Sequence, residues 1–91
     1  MTGHFVYLVE CSDRSLYTGY TTDPSRRLEE HNSGRGSRYT KLRRPVRLAY
    51  LEERPSRSEA LSREIQIKRM SRREKLALCR KYVGNRERSS R

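Results

Sequence analysis

Residues 16–31 read LYTGYTTDPSRRLEEH. The stretch changes character in its middle, and that change sets the fold. LYTGY, residues 16–20, is aromatic and β-favouring. Asp23 and Pro24 then mark a helix start, because Asp is a good N-cap and Pro fits the first helical position. A strand therefore runs directly into a helix. Arg27 and His31 stand four residues apart on one face of that helix, and Leu28 is its only large apolar residue. A helix that served only to cover a core would carry more leucine.

Upstream, FVYLVEC at residues 5–11 is dense in apolar residues and predicts a buried strand. SDRS at 12–15 has turn composition, so the two strands form an antiparallel hairpin. Downstream, NSGRG at 32–36 ends the first helix, with Gly34 as its left-handed stop. SRYTKLRRP at 37–45 reads as a basic loop, and VRLAYLEE at 46–53 as a third strand with Val46, Leu48 and Tyr50 on one side. Two capping boxes follow. Ser56 with Glu59 opens a helix to about residue 69, and Ser71 with Glu74 opens another to about residue 82. The expected fold is α+β: a small, mainly antiparallel three-stranded sheet flanked by helices, in the order β-β-α-β-α-α. Residues 1–83 form one domain, and 84–91 a basic tail expected to be disordered.

Composition narrows the function. The chain has 91 residues, 22 Lys and Arg against 11 Asp and Glu, and a net charge of +11. Leu, Ile, Val and Phe supply only 16 residues, a composition that alone leans toward disorder; the ordered pattern of strands and caps decides against it. The charge points to a polyanion, most naturally nucleic acid, because neutralised phosphates release counterions. No run of about 18 apolar residues reads as a membrane span. The N-terminus lacks the features of a signal peptide. Cys11 and Cys79 are far apart and form no C-x-x-C pair. A cytoplasmic protein without a disulfide framework or zinc site is expected, acting as a monomer.

Several residues invite two readings. Tyr7 and Tyr17 on adjacent strands are a packing pair or two phenols of one site. Gly19 inside a strand marks a bulge or a close backbone approach. Arg27 and His31 form a solvated basic face or a phosphate site, with Arg27 a bidentate donor and His31 a donor or proton carrier. On a helical wheel, Ala60, Leu61, Ile65 and Ile67 define an apolar stripe that contains Glu64. A carboxylate there needs a partner. Either Lys68, one turn on, pairs with it, or it is a ligand for Mg²⁺.

The ordered set Tyr, Tyr-x-Gly, Arg-x-x-x-His and Glu resembles the GIY-YIG nuclease family, and its small stand-alone members most. Phe5, Val6 and Tyr7 stand in the place of the first motif, and Tyr17, Thr18 and Gly19 in that of the second. Phe5, Val6 and Thr18 depart from the family pattern in ways that bear on packing, and Tyr20 stands where some members carry a lysine. The resemblance spans about residues 5–81. It implies a metal-dependent endonuclease that hydrolyses phosphodiester bonds of DNA. Tyr7 or Tyr17 would position or deprotonate water, with His31 a possible partner in that role. Arg27 would stabilise phosphate charge, and Glu64 would hold Mg²⁺ (or Mn²⁺). The basic loop, with Arg35, Arg38, Tyr39, Lys41, Arg43 and Arg44, would hold backbone phosphates, unless it is simply a solvated loop. The alternative is a non-catalytic basic module that binds DNA or RNA and keeps the fold. Charge alone would also suit a protein that sits on RNA.

Overall fold

The computed structural model describes residues 3–89. Strand β1 (His4–Glu10) lies at the centre of a three-stranded antiparallel sheet, with β2 (Leu16–Thr21) on one side and β3 (Arg47–Arg54) on the other. Its central place explains its composition. Val6 and Leu8 face one layer of the core, and Tyr7 and Val9 the other, so apolar residues run without alternation.

Helix α1 (Pro24–Asn32) begins where the sequence places it, with the Asp23 carboxylate accepting from the Arg26 N–H at 3.2 Å. It ends in a Schellman motif. The Gly34 N–H bonds to the His31 carbonyl at 3.3 Å and the Arg35 N–H to the Glu30 carbonyl at 2.8 Å, with Gly34 at φ 87°. Helix α3 (Arg57–Lys68) starts at Ser56, and α4 (Arg72–Ser89) at the reciprocal Ser71–Glu74 capping box.

Four expectations change. The basic loop contains a single helical turn, α2 (Arg38–Lys41), N-capped by Ser37, so the order is β-β-α-α-β-α-α. Four residues are too few to show a helical period. In β3 a bulge opposite Leu8 and Val9 inserts Ala49, so Leu48 faces one layer while Ala49 and Tyr50 face the other. Val46, Leu48 and Tyr50 therefore do not share a side. On α3 the buried line runs through Ala60 and Ile67, and Ile65 is 52% exposed; at about 100° per residue it lies well round the helix from that line. Helix α4 continues beyond Val83 to Ser89, since a nucleated helix gains one bond for each residue added. Residues 90 and 91 of the expected tail lie outside the described residues.

Helices α3 and α4 cover the Val6–Leu8 face through Ala60, Ile67 and Cys79. On the opposite face, Tyr7, Val9, Cys11 and Val46 pack with Tyr17 and with Leu28 of α1. Cys11 and Cys79 are free thiols in these two separate layers. Among the described residues no helix is long and apolar enough to cross a membrane.

Thr18 pairs with Leu8 across the hairpin and is 3% exposed, yet its hydroxyl has no hydrogen-bond partner among the described residues. A buried hydroxyl left without a partner costs about 1–3 kcal/mol. Thr18→Val keeps the shape and removes that cost. Thermal melts should show a gain of about 1 kcal/mol, which is roughly 4–8 °C for a domain of this size. A lower melting temperature would show that the hydroxyl is satisfied.

Candidate active site

The hairpin register places Tyr7 directly opposite Gly19, and Val9 opposite Tyr17. Paired residues share a face, so both phenols lie on the α1 side of the sheet. The Tyr7 ring crosses the β2 backbone at Gly19. A Cβ there would lie 2.3 Å from the Tyr7 hydroxyl, so only glycine lets the phenol pass. The strand glycine marks a close approach rather than a bulge.

Helix α1 brings Arg27 and His31 to the same hydroxyl. Arg27 Nε donates to Tyr7 Oη at 3.4 Å, and His31 Nε2 lies 2.8 Å from that oxygen. Arg27 is held from two further directions, by Glu30 at 2.9 Å and the Gly36 carbonyl at 3.0 Å. Gly36 also packs on His31, where a Cβ would lie 2.1 Å from Nδ1. The Tyr17 ring meets the His31 ring edge-on, with centroids 5.4 Å apart.

His31 is fully buried and both ring nitrogens are engaged, the second with the Thr40 hydroxyl at 2.7 Å. It is therefore not a donor to phosphate; its place in the site is internal. Burial lowers its pKa below the ordinary 6.5, and the Arg27 charge lowers it further, so the imidazole is neutral at pH 7. Burial likewise pushes the Tyr7 phenol above 10.0. The hydrogen bond and charge of Arg27 oppose that rise, while Tyr17 and Glu64 add to it. The proton assignment that gives every donor an acceptor runs from Tyr7 O–H to His31 Nε2, then from Nδ1–H to Thr40.

The basic loop divides into two groups. Arg43 is a pin. It donates to Asp13 at 3.1 Å and to the Tyr39 carbonyl at 2.9 Å, and its guanidinium covers the Tyr39 ring at 3.9 Å. Tyr39 in turn stacks on Tyr17, with centroids 5.9 Å apart. Arg44 donates to the carbonyls of Lys41 and Asn32. These two arginines hold the loop against the hairpin and α1, so their first role is structural. Arg35, Arg38 and Lys41 stand exposed, and Arg35 donates to the Ser33 hydroxyl.

Glu64 is half-buried on α3, its side chain 17% exposed, and pairs with Lys68 at 3.3 Å. It is near enough for its charge to raise the Tyr7 pKa. Among the described residues no three His, Cys, Asp or Glu side chains gather around an ion site. One carboxylate still fits Mg²⁺, which keeps several waters and binds through one or two carboxylates and substrate phosphates. The donor set suits such a hard cation and not zinc. The site residues that sequence reading missed are Thr40, Ser37, Gly36 and Glu30. Ser37 and Thr40 have the spacing of a helix cap, which is the one signal that pointed to ordered structure there.

The GIY-YIG catalytic domain matches residues 3–77 of this chain. A UPF0213 protein of Staphylococcus aureus (strain Mu50) is 55% identical over 80 residues, covering 88% of this chain and 98% of its own length. The solution NMR structure of a UPF0213 protein from Bacillus halodurans shares 49% identity and a TM-score of 0.54, over 84% of this chain and 81% of that one. A second NMR structure, of a protein from E. faecalis, shares 45% identity and a TM-score of 0.56, over 80% and 78%.

The buried His31 makes stability depend on pH. Between 6.5 and its lower folded pKa, the unfolded chain binds a proton that the folded protein refuses. Stability is therefore full above pH 6.5 and falls as pH drops through that interval. Melting temperatures measured from about pH 8 to 5 should hold level and then decline, while His31→Gln should flatten the decline. An equal decline in the variant would assign it to other groups.

Proposed function

The chain belongs to the GIY-YIG family, and from that premise we propose that it is a metal-dependent endonuclease that hydrolyses phosphodiester bonds of DNA. The observation that carries the proposal is the Tyr7 hydroxyl, held between Arg27 Nε and His31 Nε2 on a face shared with Tyr17. A buried packing phenol would be satisfied by one neutral partner, whereas here a guanidinium and an imidazole meet at the same hydroxyl.

The chain's own groups then divide the work. Tyr7 Oη takes a proton from the attacking water while its own proton passes to His31 Nε2, so that one proton leaves the water and one arrives on the imidazole. The water oxygen forms the new bond to phosphorus, and the bond from phosphorus to the 3′ oxygen breaks, the leaving oxygen taking a proton from solvent. Arg27 has five N–H groups, of which three are engaged with Tyr7, Glu30 and Gly36. The two that remain are available to phosphate oxygens, where charge accumulates in the transition state. Glu64 would hold Mg²⁺ (or Mn²⁺), which as a Lewis acid supplies charge stabilisation at the phosphoryl and leaving oxygens. Tyr17 stacks on Tyr39 and braces the His31 ring. Arg35, Arg38 and Lys41 would follow the DNA backbone, with the +11 charge drawing it in.

The Glu64–Lys68 ion pair favours a second reading, a non-catalytic nucleic-acid-binding module in which the carboxylate is structural. Two substitutions separate the readings. Under the endonuclease reading, Glu64→Gln should abolish Mg²⁺-dependent nicking of supercoiled DNA and leave DNA binding intact, while Lys68→Met should spare nicking. Under the binding-module reading, both changes should lower the melting temperature alike, and no protein should nick. Full nicking by folded Glu64→Gln would sink the proposed metal role.

A further inference from the structure

Thr40 sits on the single turn of α2, fully buried among groups that make its hydroxyl choose a direction. Its oxygen lies 2.7 Å from His31 Nδ1, 3.0 Å from Ser37 Oγ and 3.4 Å from the Ser37 carbonyl. A hydroxyl has one proton and two lone pairs. The Ser37 carbonyl can only accept, and Ser37 Oγ already accepts the Thr40 N–H at 3.1 Å as the cap of the turn. With the Thr40 proton on the Ser37 carbonyl, a lone pair faces His31, and in this arrangement Tyr7 O–H also keeps an acceptor in Nε2.

We infer that Thr40 is a positioning residue that holds His31 as its Nδ1–H tautomer, leaving Nε2 bare to accept the Tyr7 proton. The inference takes its catalytic meaning from the endonuclease reading, but the tautomer is a property of the free protein. Thr40 is not needed to keep the ring in place. Gly36 closes on one edge of His31, while Tyr7 and Tyr17 pack against the ring with centroids 5.8 and 5.4 Å away. Only the position of the proton hangs on the hydroxyl. In Thr40→Val an Nδ1–H would point at a methyl group in a dry site, whereas an Nε2–H would still find Tyr7 Oη as acceptor. The proton should therefore move to Nε2, and Tyr7 should lose the acceptor for its own proton. The turn that presents Arg38 and Lys41 outward thus sets the proton order inside.

Long-range ¹H–¹⁵N spectra of the labelled protein, free of DNA and metal, read this directly, because protonated and bare imidazole nitrogens resonate far apart. Wild type and Thr40→Ser should both show a protonated Nδ1 and a bare Nε2, and Thr40→Val should show the reverse. A wild-type His31 protonated at Nε2 would overturn the inference even if no variant folds, and so would a Thr40→Val protein that keeps Nδ1–H. Nicking measured on the same samples should fall roughly 10- to 100-fold in Thr40→Val and recover in Thr40→Ser. An absence of nicking in all three proteins would count against the endonuclease reading alone, with the tautomer still decided by the spectra.

Discussion

The Tyr7 hydroxyl reaches His31 at 2.8 Å because the residue opposite it, Gly19, has no side chain. A phenol buried in the core of a sheet must have partners for its hydroxyl. Here the ring lies over the glycine backbone, and the hydroxyl emerges where α1 delivers Arg27 and His31. The requirement spreads outward. His31 needs a partner for its second nitrogen and finds Thr40, which brings α2 against the domain. Arg27 needs an anchor and finds the Gly36 carbonyl, which fixes the chain leaving α1. The loop is then fastened to the hairpin by Arg43.

The electrostatics follow the same geometry. The protein carries +11, yet at the centre of the site burial keeps His31 neutral and favours the neutral Tyr7 phenol. Charge is kept to the rim, on Arg27 beside the phenol and on Glu64 within electrostatic reach of it.

Local signals were readable in the sequence, and contacts between distant segments were not. Asp23 with Pro24, and the pairs Ser56–Glu59 and Ser71–Glu74, announce helix starts because a cap is satisfied within four residues. The place of Tyr7, Tyr17, Arg27, His31 and Glu64 in one ordered set was readable through family resemblance; the hairpin register puts the two tyrosines on one face, and α1 brings Arg27 and His31 to them. The bulge at Ala49 was not readable, since it breaks the period on which strand reading rests. Neither was Ile65, whose exposure depends on which helix face meets the sheet. Composition also cannot separate an arginine that pins a loop, such as Arg43, from one that stands exposed, such as Arg38. Thr40 looked like any polar loop residue because its partner lies across the turn that ends α1.

The central claim is that the Tyr7 hydroxyl moves the proton and that Tyr17 supports it from the side. Single-turnover nicking by Tyr7→Phe and Tyr17→Phe, with melting curves and DNA binding measured on the same samples, tests it most directly. The account predicts that Tyr7→Phe binds DNA normally and loses roughly 10²- to 10⁴-fold in rate, while Tyr17→Phe, which keeps the ring that touches His31 and Tyr39, retains most of it. A folded Tyr7→Phe protein that nicks at the wild-type rate would contradict the account.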